Sequence, residues 1–205
     1  MGRYSFLVPL LLAAELPGAF EPVAESPWLH GFAGALFPRS AAALSLNPAA
    51  PAMLDGRGVC VTASRPFGLR ELQRVSLAGN TFVSGAGIGA MLAGTSHGGY
   101  SEFTAAAAGA FRLARGIVGG VSLSGRRLSI DGYGAKTALG LDVGAVCRPV
   151  EGVYAGGGCR GALSSELAGA PAVPRAVFLS AGVVPLRGFH VSGAAVFHRY
   201  SGAEF

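Results

Sequence analysis

Alternation at every second position constrains this chain more than any other feature of its sequence. From Leu139 to Cys147 one set of positions reads Leu139, Leu141, Val143, Ala145 and Cys147, and the set between them reads Gly140, Asp142, Gly144 and Val146, with Arg148 next in line. From Phe103 to Leu113 the odd positions hold Phe103, Ala105, Ala107, Gly109, Phe111 and Leu113, against Thr104, three alanines and Arg112. From Phe189 to Phe197 the odd set Phe189, Val191, Gly193, Ala195 and Phe197 is opposed by His190, Ser192, Ala194, Val196 and His198. Val59 to Thr62 and Val121 to Ser124 repeat the pattern in short form. A period of two belongs to a β-strand, whose side chains point alternately to its two faces. An amphipathic helix needs a period of 3.6 instead.

The longest run without Asp, Glu, Lys or Arg, Val75 to Ser101, has 27 residues, long enough for a spanning helix. Its seven glycines, six serines or threonines and period-two texture argue against one. Nine strands are predicted instead, at roughly 57–66, 72–79, 82–94, 101–115, 117–130, 136–148, 152–165, 174–186 and 188–200. Turns are expected at Gly79-Asn80, Ser96 to Gly99, Gly132 to Gly134, Pro149 to Gly152 and Gly169 to Pro174. One strand breaks phase, since Val121 and Leu123 are odd while Leu128 and Ile130 are even, which predicts a bulge or a hairpin turn near Gly125 to Arg127. Connections this short favour an antiparallel up-and-down meander.

Composition narrows the solvent. Of 205 residues, 33 are Gly and only 13% are charged, against a usual charged share of about 25%. Disorder is excluded, because 51% of the chain is hydrophobic. A strand with one large apolar face and one small or polar face suits a barrel with its apolar face in lipid. About 9 to 11 tilted residues cross the hydrocarbon, and the predicted strands meet that length. The expected fold class is therefore all-β, an antiparallel up-and-down transmembrane β-barrel. Lipid tolerates only closed barrels, and single-chain bacterial barrels have even strand numbers. Nine strands make an incomplete barrel, so the count is one off or the intact gene runs past Phe205.

Residues 1–24 read as a signal peptide and short leader, with Arg3 ahead of an apolar core from Ser5 to Ala14 that is too short to span a bilayer. Residues 25–55 then lead into the strands of residues 56–205. Export places the barrel in the outer membrane of a Gram-negative-type bacterium, with the lipid of that membrane as its first partner.

Chemistry-bearing motifs are sparse. The net charge of +5 is spread over single arginines and one pair, Arg126-Arg127, so no basic stripe points to nucleic acid. Cys60, Cys147 and Cys159 have no metal-ligand spacing and read as packing residues. No GxSxG, HExxH or CxxC is present, so no catalytic residue, metal or cofactor is assigned, and a non-enzymatic protein is expected. Gly156-Gly157-Gly158 reads as close packing within a strand rather than a phosphate cradle. Ionisable residues on the small-residue face are Arg112, Asp142, Arg148, Arg160, His190 and His198. An arginine facing lipid at mid-membrane costs about 2–4 kcal/mol, so these six are expected in the lumen or at the rim, solvated, paired as Asp142 with a neighbouring arginine, or contacting a substrate. His190 and His198 cannot act as a pair, because eight residues of strand separate them by about 26 Å.

Gly31 to Ala35, the run Ser40 to Leu46 and then Asn47-Pro48-Ala49-Ala50 stand ahead of the first strand. A Gly/Ala-rich segment leading into Asn-Pro-Ala resembles the fatty-acid-transporter-like outer-membrane barrels, which include the FadL transporters and the PorV/PorQ-type proteins. Pro66 to Leu69, Tyr100-Ser101-Glu102 and Leu139 to Gly144 are similar to the PorV/PorQ-like branch. The resemblance implies a fourteen-stranded barrel with its N-terminal segment, here residues 25–55, folded inside as a plug, in which Asn47, Pro48 and Ala49 form the plug motif. The short loops depart from an elaborate extracellular cap. Two roles follow from the resemblance, an adaptor for an exported protein and a transporter of a hydrophobic, fatty-acid-like solute. A third reading, a secreted soluble β-sandwich or adhesin, would demand a polar outer face and more charge.

Overall fold

In a computed structural model of the protein the described residues are 7–9, 33–38, 40–54, 56–65, 73–167, 170–171, 175–186 and 189–199. Their strands are β1 (Leu7–Pro9), β2 (Gly58–Ser64), β3 (Arg74–Val83), β4 (Ala86–His97), β5 (Tyr100–Ala114), β6 (Ile117–Ile130), β7 (Gly134–Val150), β8 (Val153–Ser164), β9 (Glu166–Leu167), β10 (Ala170–Pro171), β11 (Arg175–Leu186) and β12 (Phe189–Arg199). Among the described residues helix is limited to one turn, α1 (Ala33–Leu36), and two 3-10 turns, Ala41–Ser45 and Ala50–Ala52.

The protein is all-β. Nine strands, β2 to β8 with β11 and β12, lie side by side in chain order, each antiparallel to the next. The sheet is not closed. It ends at β2 on one side, and on the other β1 runs parallel to β12 for three residues, with Leu7 opposite His190. Strands β9 and β10 pair only with each other, inside the connection from β8 to β11. Most of the predicted leader and the start of the plug-like segment lie outside the described residues, as does the Pro66 to Leu69 motif.

Two local expectations are corrected. Gly79-Asn80 is not a turn: β3 continues to Val83, because Gly79 and Asn80 are paired on both sides, with Val59 and Gly58 of β2 and with Ala90 and Gly89 of β4. The chain reverses at Ser84-Gly85 instead, where φ is 50° and 87°, the left-handed pair that a tight hairpin turn requires. Nor does β6 bulge or turn at Gly125 to Arg127, since Arg126 and Arg127 pair in unbroken register with Thr104 and Phe103. The apparent phase break reflects position along the strand. Val121 and Leu123 stay on the exposed face in mid-strand, and beyond them Arg127 takes that face while Leu128 turns to the other.

The two ends of the sheet differ. At one end β3–β4, β5–β6 and β7–β8 are joined by Ser84-Gly85, Arg115-Gly116 and Glu151-Gly152, and β11–β12 also by two residues. Three of these hairpins carry a register shift next to the turn, in the β5–β6, β7–β8 and β11–β12 pairs. The hairpins are staggered. Ala86 pairs with Phe111 while the next hairpin closes at Ala114, Ile117 pairs with Cys147 while the next closes at Val150, and Val153 pairs with Val183 while the next closes at Leu186. A constant step in one direction is the stagger that tilted barrel strands need. At the other end the connections are uneven: Gly98-Gly99 and Asp131 to Tyr133 are short, but 65–73 and 165–174 are longer. Brevity is thus a property of one end only.

Alternation gives the sheet two unlike faces. On the outer face Val59, Val61, Leu77, Ile88, Leu92, Phe103, Phe111, Leu123, Leu139, Leu179 and Phe197 are exposed. The opposite, inner face carries residues 33–53, whose buried side chains join those of the strands. Ala41, Ala42 and Leu44 pack with Ala78 and Met91; Ala35 and Leu46 with Phe178; Leu36 and Ala49 with Val146. Among the described residues no helix is long and apolar enough to cross a membrane.

Candidate functional site

The inner face divides into two bands. The band nearer the two-residue hairpins is built for close approach. Gly87 and Gly89 of β4, Gly120 of β6, Gly144 of β7, Gly156 of β8 and Gly182 of β11 all face residues 33–53. A Cβ on Gly87 would overlap the Pro51 backbone, one on Gly120 the Pro48 carbonyl, and one on Gly144 the Asn47 side chain. On Gly156 it would come within 2.8 Å of Leu36, and on Gly182 within 2.8 Å of Phe37. At Gly87 and Gly120 backbone therefore packs on backbone, and at Gly144, Gly156 and Gly182 the missing side chain leaves room for Asn47, Leu36 and Phe37.

Asn47 holds that segment in shape. Fully buried, it donates from Nδ2 to the Ala35 carbonyl at 3.2 Å and accepts at Oδ1 from the Ala49 N–H at 2.9 Å. The first bond ties α1 to the later turn, and the second makes a local Asx turn. Pro48 cannot donate a backbone bond, and the Ala50 N–H closes on the Asn47 carbonyl at 3.0 Å. The Asn-Pro-Ala motif is therefore a buried corner laid across β6 and β7.

The second band, nearer the longer connections, is polar. Arg74 pairs with Glu102 at 3.4 Å, and its Nε donates to Thr95 Oγ1 at 3.0 Å. The Tyr100 hydroxyl donates to Glu102, which is buried. Arg126 stands within Coulombic reach of both Glu102 and Asp142. Asp142 accepts from the Gly161 N–H at 2.8 Å and from Ser122 Oγ at 3.4 Å. The first of these bonds ties down a register shift in the β7–β8 ladder, where Leu141 pairs with Leu163 but Val143 with Cys159, and where Gly161 has φ 57°. Asp142 thus serves the backbone of its neighbour strand directly, a contact that the expected pairing with an arginine did not include.

The other sequence-selected residues do not form one site. Arg112 lies near the two-residue hairpins, with its guanidinium 4.8 Å from the centre of the Phe82 ring. Arg148 is exposed near the same end, and its N–H donates to the Gly116 carbonyl at 2.6 Å. Arg160 follows Cys159 and pairs with Ala176 at the irregular part of β8. His190 packs edge-on against Phe37, with ring centres 4.8 Å apart. His198 pairs with Ala176, eight residues further along the same strand. Phe178 fills the space over Gly158, where an added Cβ would lie 2.7 Å from its ring, in keeping with the steric reading of the triple glycine.

Sequence reasoning missed Arg74, Glu102, Tyr100 and Arg126 as a group. Glu102 was legible as an acid on the small-residue face, two positions before Thr104, but its partner lies on β3, two strands away. Among the described residues no group of His, Cys, Asp and Glu could hold a metal ion. No protein-family model matches the chain, and no curated protein matches it.

Proposed function

We propose that this chain forms the wall of a plugged β-barrel in a bacterial outer membrane, with residues 33–53 inside it, and that it acts as an adaptor for an exported protein. One observation carries the membrane reading. The outer face is apolar from strand to strand and exposed, Val59 at 77% and Leu123 at 58%, where a soluble sandwich would place polar residues. Phe103 and Phe111 stand eight residues apart on β5, about 26 Å along the strand, which at a barrel tilt of about 40° spans about 20 Å of an outer-membrane apolar band of about 25 Å. Open edges cost several kcal/mol per unpaired group in lipid, so the barrel is completed by strands or chains beyond these nine.

The inner face favours an adaptor over a hydrophobic-solute carrier. A fatty-acid-like solute would meet the N-terminal segment in one band, and Arg74, Glu102, Arg126 and Asp142 in the other. Pockets for such solutes are mostly apolar, with few polar groups. The resemblance to the PorV/PorQ-like branch points the same way.

Fractionation of cells making the whole protein tests the membrane reading: recovery in the outer membrane, released only by detergent, is expected, and recovery in the soluble periplasm or medium would overturn it. Liposomes then separate the roles. Co-purification of an exported protein without fatty-acid uptake is expected of an adaptor, and uptake would transfer the assignment to transport.

A further inference from the structure

Three exposed arginines, Arg112, Arg115 and Arg148, meet at the end of the sheet that carries the two-residue hairpins. Arg112 on β5 stands opposite Val118, and Arg148 follows Val146 by two positions on β7. Val118 and Val146 pack with Leu36 and Ala49 of the N-terminal segment, so alternation puts both arginines on the inner side just beyond that segment, at the mouth. Arg115 occupies the β5–β6 turn. The Arg148 N–H donates to the carbonyl of the next turn residue, Gly116, and a Cβ added to Gly116 would lie 3.8 Å from the Arg148 Cβ, so this turn and Arg148 are in contact. Arg112 and Arg148 flank one strand, β6. Two strand spacings and an offset of two residues place their Cα atoms about 12 Å apart.

No acid stands among the three. Of the described Asp and Glu residues, Glu102, Asp131 and Glu166 lie toward the longer connections and Asp142 in the polar band, which leaves Glu151 on the β7–β8 turn. Among the described residues none of these arginines is in an ion pair. Arg112 rests its guanidinium 4.8 Å from the centre of the Phe82 ring, a contact that steadies the group and uses none of its N–H donors. Like charges this close repel one another, and a row of anions laid across them turns the repulsion into attraction.

We infer that Arg112, Arg115 and Arg148 form a docking site for an extended acidic peptide segment of the exported protein. The inference rests on the adaptor reading above and names its point of contact. Lipid headgroups do not match the site, because Arg112 and Arg148 lie on the inner side of the wall, away from its apolar outer face. Peptide carboxylates do. An extended chain advances about 13 Å in four residues, close to the separation of Arg112 and Arg148, and each planar guanidinium takes a carboxylate through two parallel hydrogen bonds. Short turns mark the periplasmic end of an outer-membrane barrel, the side from which an exported protein arrives, and two-residue hairpins raise no loop over the site.

The test places the whole protein in phosphatidylcholine nanodiscs and measures, by fluorescence anisotropy, the binding of a labelled peptide of alternating Glu and Ser against the same peptide with Gln for Glu. Selective binding of the Glu peptide is expected, weakened by rising salt, reduced about tenfold when Arg112→Gln, Arg115→Gln and Arg148→Gln are combined, and unchanged in Lys136→Gln, an exposed cation at the opposite end of β7. Equal binding of the two peptides by the unmodified protein would overturn the site, and that comparison needs no variant to fold. Equal weakening in Lys136→Gln and the triple variant would also overturn it. The adaptor reading is separable: an exported protein that still co-purifies with the triple variant would overturn the docking site and leave the adaptor role standing, whereas selective peptide binding by a protein that retains no exported protein would keep the site and remove that role.

Discussion

Ser122 and Leu123 are neighbours on β6, yet the serine is 5% exposed and the leucine 58%. The same inversion runs through the sheet. Small and polar residues are covered on the inner face, and large apolar ones are bare on the outer. In a water-soluble protein this would be an arrangement turned inside out. On the membrane reading proposed above, two solvents select the residues: the inner face is shaped by a segment of the same chain and by a polar network, and the outer face by a medium that rewards Val, Leu and Phe.

Charge on the outer face should then be the most damaging change. Leu123→Arg, in the middle of β6, is expected to cost about 2–4 kcal/mol in lipid, read as a loss of folded, heat-modifiable protein in vesicles. The same substitution without effect on insertion would break the comparison. Filling the glycine band should come next. Gly120→Val places atoms where the Pro48 carbonyl lies and is expected to cost about 1–3 kcal/mol, with faster amide exchange in residues 40–53 as the specific readout. Unchanged exchange there would mean that the segment does not rest on β6.

Asn47→Ala removes two buried hydrogen bonds and should cost about 1 kcal/mol for each, measured from the denaturant midpoint together with exchange at Ala35 and Ala49. Asn47→Asp keeps the acceptor for Ala49 and loses the donor to Ala35, so exchange should rise at α1 before the later turn. The smallest effect is expected at the hairpin tip between β6 and β7. Tyr133 is 88% exposed, and Tyr133→Ser should stay within about 0.5 kcal/mol, a baseline against which the other changes are scaled.

Much of the sheet was legible in advance because period two is a local signal. The nine predicted strands correspond to β2 to β8, β11 and β12, and the odd positions of β5, β7 and β12 were assigned to one face from sequence. Errors arose where local chemistry has two outcomes. Gly79-Asn80 carries turn-forming residues, but pairing on both sides holds it in a strand, and the turn falls on Ser84-Gly85. The useful signal was an Xaa-Gly pair between two alternating runs, repeated at Arg115-Gly116 and Glu151-Gly152.

The candidate site was legible only in part. Asn47-Pro48-Ala49 stood out as a motif, and Asp142 as an ionisable residue on the small face. The contact between the motif and Gly144, the bond from Gly161 to Asp142 and the pairing of Arg74 with Glu102 join residues that lie 19 to more than 90 positions apart in the chain.

By itself the sequence determined that this chain forms strands, about how many, and which side chains share a face, because alternation follows from backbone geometry within each strand. Only the tertiary structure decided which face the N-terminal segment covers, that glycines of five strands lie beneath it, and which charges become neighbours. Those outcomes depend on register between strands, which is set by the sum of many cross-strand pairs and by turns whose position no single residue dictates.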